Sequence, residues 1–202
     1  MTNMKTTTTI KTKAGTAGAI VTAASDAANN LNSLFLDCLK DIYWAENALL
    51  KALPTMMANA YSPRLASLIK EHIAQTENQV ARLDAVFGLI GEKAEGKKCE
   101  AMAGLIKEGE GILEETEHGP VRDAGIIAAS QKIEHYEIAT YGTLYTFAKT
   151  LGLNDAAKLL AQTLAEEKEA DMLLSDAAIN AINKEADGET GSMRDKPLSK
   201  NP

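Results

Sequence analysis

Aromatic residues are scarce in this 202-residue chain, with one tryptophan, five tyrosines and three phenylalanines, and there are only five prolines. What remains is rich in alanine, which favours helices throughout. Positive charge is also short: 21 lysines and arginines stand against 28 aspartates and glutamates, a net charge of −7. That balance argues against nucleic acid as a partner. No apolar run approaches the roughly 20 residues needed to cross a bilayer, so no membrane role is expected. The two cysteines, Cys38 and Cys99, lack CxxC spacing and any accompanying histidine pattern, which leaves no zinc module and no four-cysteine iron module. They read as reduced thiols of a cytoplasmic protein.

The chain divides into three parts by composition. Residues 1–28 form a Thr/Ala-rich arm, expected to be disordered; its weakly apolar stretch lacks the leucine-rich core of a signal peptide. Residues 29–186 carry helical periodicity, and residues 187–202 form a second solvated tail. The spacing predicts a helix from about Asn30 to Asn59, with Pro54 kinking it or ending its regular part. Ser62-Pro63 opens a second helix, which runs to Ile90. A connection of about 30 residues follows, too long for a hairpin turn. It contains a weaker helical pattern over Cys99–Glu115, interrupted by Gly104, Gly109 and Gly111. A third long helix, Gly119–Leu151, ends at Gly152, and a fourth spans about Asn154–Asn183. Four long helices joined short, long, short predict an all-α, ferritin-like four-helix bundle whose crossover holds a short helix.

The most informative stretch is Ile127–Tyr145. At 100° per residue, Glu134 and Glu137 fall in the middle of its apolar face. A bare carboxylate in a core costs several kcal/mol unless it is paired, hydrogen-bonded or bound to a metal. Glu46 lies at the centre of the first apolar stripe and Glu167 near that of the fourth, with Asp171 close by. Glu166 and Glu169 point off the stripe and read as solvated. On the second helix, His72 and Gln79 lie within the apolar face and Gln75 at its edge. Counting from the turn near Leu153, Glu137 and Glu167 lie about 16 and 14 residues away, a mismatch of roughly 3 Å at 1.5 Å per residue. Glu46 lies at the level bracketed by Gln75 and Gln79, with His72 roughly 7 Å short of it.

One layer is therefore predicted to hold Glu46, Gln75 or Gln79, Glu134, Glu137, Glu167 and Asp171, with His72 adjoining. Five carboxylates cannot all ionise in one layer without cations, and two divalent metals are the established remedy in helix bundles. Carboxylate and imidazole donors suit iron or manganese. Tyr43, Tyr141 and Tyr145 read as core filler and hydrogen-bond donors.

The segments DIYWAENALLKAL (Asp41–Leu53), EHIAQTENQVARLDAVF (Glu71–Phe87), KIEHYEIATYGTL (Lys132–Leu144) and LAEEKEADMLLSDAAINAINKEA (Leu164–Ala186) resemble, block after block, the bacterial YciE/YciF family of ferritin-like stress proteins. The resemblance covers about Leu31–Ala186. It implies a rubrerythrin-like bundle, typically dimeric, with a two-metal site and a link to general stress responses. Glu46, Glu134, Glu137, Glu167 and Asp171 fall on the acidic positions of the motif, and His72 on its second-helix histidine. Two positions depart from the Glu-x-x-His pairs of ferritin-like enzymes. The second helix reads His72-x-x-Gln75, and Ala170 stands where Glu167 would be followed by a histidine.

Two functions are carried forward. One is an oxidoreductase of the ferroxidase or peroxide-scavenging type, built on two iron or manganese ions. The other is a metal-free or weakly metallated bundle serving as a structural or partner-binding stress protein. A homodimer is expected, with Leu34, Leu36 and Trp44 on the outer side of the first helix as contacts.

Overall fold

The computed structural model describes residues 21–25 and 27–188. Most of the predicted arm and nearly all of the predicted tail lie outside these residues. Six α-helices follow in order: α1 Leu31–Asn59, α2 Pro63–Leu89, α3 Glu100–Glu115, α4 Pro120–Thr150, α5 Asn154–Ala177 and α6 Asn183–Ala186. No strand occurs among the described residues.

Local signals set the helix ends. The Asn30 side chain accepts from Ser33 N at 2.9 Å and caps α1. Pro63 and Pro120 occupy first-turn positions, where a missing N–H costs nothing. The Cys99 sulfur takes the cap role for α3, accepting from Met102 N at 3.3 Å. Gly152, at φ +76°, supplies the left-handed residue that closes α4. The first helix runs to Asn59 as expected, with Pro54 inside it. One feature differs from expectation. The last long helix is broken by a π-turn, Ala178–Ile182, before α6.

Cross-helix contacts give the topology. Asn59 meets Arg122 at one end of α1 and α4, while Glu46 meets Tyr141 farther along, so these helices are antiparallel. Arg64 pairs with Asp176, and Arg82 with Thr163, so α2 and α5 are antiparallel as well. With hairpins α1–α2 and α4–α5, the four long helices close a ring in the order α1, α2, α5, α4. The crossover runs back along the outside of the α1–α4 seam. Its backbone joins α1 where Lys97 N donates to Lys40 O at 3.0 Å.

Glycines allow α3 to sit close. A Cβ on Gly125 would come within 2.6 Å of Ile112, and one on Gly109 within 3.0 Å of Met56. The glycines that dilute the helical pattern of α3 thus include one at its packing face. Gly96 likewise approaches the backbone and Cβ of Trp44, and Trp44 and Leu36 are partly buried against the core. Leu34 remains 41% exposed.

Inside the ring, Phe35, Leu39, Ile42, Leu83, Phe87 and Leu144 are buried. Each contributes about 1.5–3 kcal/mol of transfer free energy. Asp123, in the first turn of α4, is buried too and accepts from Tyr61 N and Ser62 N at 2.7 Å each. One carboxylate thus ties the α1–α2 turn to the start of α4.

Candidate metal centre

Each of the four long helices places polar side chains on its buried stripe, and they meet near the middle of the bundle. Glu46 comes from α1, flanked by Ile42, Ala45 and Leu49. On α2, His72, Thr76 and Gln79 recur at helical spacing. Glu134, Glu137 and Tyr141 do the same on α4, and Thr163 and Glu167 on α5. Glu46, Glu137 and Glu167 have no measurable exposure, Glu134 has 2% and His72 9%.

One donor atom from each of His72, Glu134, Glu137 and Glu167 lies within 4.8 Å of the others. His72 Nε2 stands 3.6 Å from Glu134 Oε1. The level count from Glu46 put His72 short of the layer. Glu134 lies nearly one turn nearer the start of α4 than Glu137, and it is at this lower level that the imidazole joins. Glu46 sits beside the four: Tyr141 Oη donates to its Oε1, and its charge acts on both Glu137 and Glu167.

Gln79, not Gln75, reaches the layer. Its amide donates to Glu167 and, at 3.2 Å, to Glu166. Gln75 is half-buried and lines a cavity alongside His72 and Glu134. Asp171 also stands outside the group of four. It is half-buried, accepts from Gln131 Nε2 at 3.1 Å, and lies 3.5 Å from His135. Its charge still bears on Glu134. Glu166 is not simply solvated: it forms a two-pronged pair with Arg82 at 2.8 Å, while Arg82 also donates to Thr163 Oγ1 at 2.6 Å. This brace orients Gln79 and, through it, Glu167. Neither Arg82 nor Tyr141 was visible as a site residue, because their partners lie on other helices.

Burial raises all four carboxyl groups above their ordinary value of 4.5. Glu46 is pushed up to about 8 by burial and by the charge of Glu167, partly offset by the Tyr141 hydrogen bond. Glu134 also rises to about 8 through burial, offset by hydrogen bonding with Glu167. Glu167 rises to about 9 through burial and then the Glu134 charge, eased by His72. Glu137, with no donor at all, is held well above the usual range by burial and by its three carboxylate neighbours. The same surroundings push the Tyr141 phenol up, so it stays a neutral donor.

Hydrogen bonding inside the protein leaves this layer unfinished. Among the described residues, the buried side-chain atoms without a partner are Glu46 Oε2, His72 Nδ1, Gln79 Oε1, Glu134 Oε2, both Glu137 oxygens and Glu167 Oε2. All belong to this one layer. Buried polar atoms are ordinarily satisfied, so this concentration of unpartnered donors is a group that could hold a metal ion. The donors are oxygen and imidazole nitrogen without sulfur, and such a set fits a hard or borderline divalent cation such as iron or manganese.

The class defined by these features is a ferritin-like helical bundle with a buried carboxylate–histidine layer. The matching family is the domain of unknown function DUF892, whose pattern covers residues 30–187, and the chain belongs to it. It is 44% identical over 158 residues to Protein YciF of Escherichia coli (strain K12), covering 78% of this chain and 95% of that protein. The crystal structure of the Escherichia coli stress protein YciF superposes with a TM-score of 0.75, over 78% of this chain and 99% of that one. YcfI of Rhodopseudomonas palustris, 40% identical, gives a TM-score of 0.73 over 76% of this chain and 98% of that one. The family resemblance carried by the four sequence blocks is thereby borne out.

Proposed function

We propose that the layer is a metal centre for iron or manganese in a stress-response protein, with His72, Glu134, Glu137 and Glu167 as ligands and Glu46 completing a two-ion site. The observation that carries this reading is the set of buried, unpartnered donor atoms confined to one layer. Four ionised glutamates would balance the charge of two divalent ions. When bound, such ions supply Lewis acidity and one-electron chemistry, suited to oxidising Fe2+ or removing peroxide.

The protein's own part is positional. Tyr141 holds one oxygen of Glu46, leaving the other for a ligand role. Gln79, braced by Glu166 and Arg82, does the same for Glu167. Burial excludes water, so the donors are fixed before a cation arrives. The stress role follows from the likeness to a relative described as a stress protein. A cytoplasmic location and a homodimer belong to the same reading. No helix among the described residues is long and apolar enough to cross a membrane. Purification without chelator or added metal, followed by elemental analysis, tests the metal assignment; iron or manganese near two per chain is expected, and less than a tenth of an equivalent of any metal counts against it.

A second reading keeps the bundle and omits the metal. The raised titration of Glu46, Glu134 and Glu167 lets the layer hold protons at neutral pH. Gln79 and Ala170 supply no imidazole either. In that form the protein is a structural or partner-binding member of the family.

A further inference from the structure

Where α1, α4 and the start of α3 meet, a second polar group lies apart from the four donors of the layer. Tyr136 is next to Glu137 on α4, but its phenol faces α1 and the crossover and donates to Asp41 Oδ2. Cys99 Sγ lies 3.1 Å from the same phenol oxygen and accepts from Met102 N at 3.3 Å. A phenol has one proton, and here the carboxylate receives it. The thiol therefore donates to the phenol oxygen, which orders the line from S–H to O–H to carboxylate. Cys99 is 1% exposed, while Tyr136 and Asp41 are half-buried.

As a clamp, this line holds the crossover to the bundle, and that role asks only for hydrogen bonds. A tyrosine brings more, because its phenol gives up an electron readily once its proton has somewhere to go. A carboxylate already bonded to it takes that proton across one hydrogen bond, without transfer to bulk water. Tyr141 has a carboxylate partner too, but Glu46 has no exposure and its other oxygen belongs to the layer. Asp41 is half-buried and reaches solvent. We propose that Tyr136 is a redox-active residue, yielding one electron to a diffusing oxidant of the peroxyl-radical class while its proton moves to Asp41. The oxidant is reduced to its anion, the phenol becomes a neutral phenoxyl radical, and Asp41 becomes a carboxylic acid. The Cys99 thiol keeps its hydrogen bond to the phenoxyl oxygen. No metal in the layer is required, so the metal centre and this residue are tested separately.

Freeze-quench EPR of the metal-free full chain, oxidised with photogenerated tris(bipyridine)ruthenium(III), is the test. A tyrosyl radical is expected at the earliest times, and Tyr136→Phe should remove most of it. Tyr61→Phe, which deletes an exposed phenol, should leave that early signal unchanged. Asp41→Asn keeps the phenol but removes the proton acceptor, so the radical should form more slowly by about tenfold or more. This variant also covers the case where Tyr136→Phe fails to fold. High-field spectra of Cys99→Ala should show a higher gx, because the thiol no longer donates to the radical oxygen; a purely structural clamp predicts no such change. An equal early signal in folded Tyr136→Phe, its loss in Tyr141→Phe instead, unchanged kinetics in Asp41→Asn, or an unchanged gx in Cys99→Ala overturns the proposal.

Discussion

His72 Nε2 lies 3.6 Å from Glu134 Oε1, although the two residues come from different halves of the chain and neither is more than 9% exposed. The contact links the α1–α2 hairpin to the α4–α5 hairpin at a level where, among the described residues, both carry buried titratable groups. Glu137 and Glu167 complete a group of four whose partners within the protein do not suffice.

Removing one charge from this group should have opposite effects in the two states of the protein. Glu134→Gln or Glu167→Gln, measured without metal at about pH 8, should be neutral or stabilising by up to about 2 kcal/mol, because a crowded carboxylate is replaced at nearly equal volume. The same variants should lose metal binding. Urea unfolding with chelator and equilibrium dialysis against Mn2+ check both halves, and clear destabilisation of the metal-free variants would speak against a crowded acidic layer.

The metal-free protein should become less stable as pH rises. Glu46, Glu134 and Glu167 titrate near 8, 8 and 9 in the folded chain against an ordinary value of 4.5. Between those values the folded state holds more protons than the unfolded one, so unfolding free energy falls with increasing pH. This stabilising contribution is complete below about pH 4.5 and lost as pH passes through about 8 to 9. Urea midpoints in chelator should decline across that window. Midpoints that rise or stay level would show that the carboxyl groups ionise freely.

Asp123 is a structural prediction away from the centre. Asp123→Ala would leave Tyr61 N–H and Ser62 N–H without their 2.7 Å acceptor and detach the α1–α2 turn from α4. Loss of two bonds to a charged acceptor should cost about 2–4 kcal/mol. A change below about 0.5 kcal/mol in chemical unfolding would mean that water replaces the carboxylate without penalty.

The helices and their order were legible because the apolar stripes are long and their ends carry recognisable signals, such as Asn30, Ser62-Pro63 and Gly152. Glu46, Glu134, Glu137 and Glu167 were legible because a carboxylate in mid-stripe conflicts with its neighbours. Positions at the stripe's edge were not. The level count bracketed Glu46 between Gln75 and Gln79 and so kept the edge residue Gln75 as a candidate. Asp171, one turn from Glu167, is held by Gln131 and lies beside His135, contacts that a single helix does not display. Glu166 looked solvated since its partner, Arg82, is distant in sequence and comes close only when α2 packs on α5. The π-turn at Ala178–Ile182 left no breaker residue to read. The close approach of the crossover to the Trp44 backbone depends on Gly96, a contact that periodicity cannot express.

Thermal unfolding under anaerobic conditions, with Fe2+, with Mn2+ and with chelator, asks most directly whether the layer is a metal centre. A cation that binds only the folded state should stabilise it by about 2.7 kcal/mol at one hundred times its dissociation constant. The parent protein should therefore melt at a higher temperature with either metal than with chelator, and Glu134→Gln and Glu167→Gln should lose most of that shift. Identical melting curves for the parent protein under all three conditions would contradict the metal centre and leave the bundle alone.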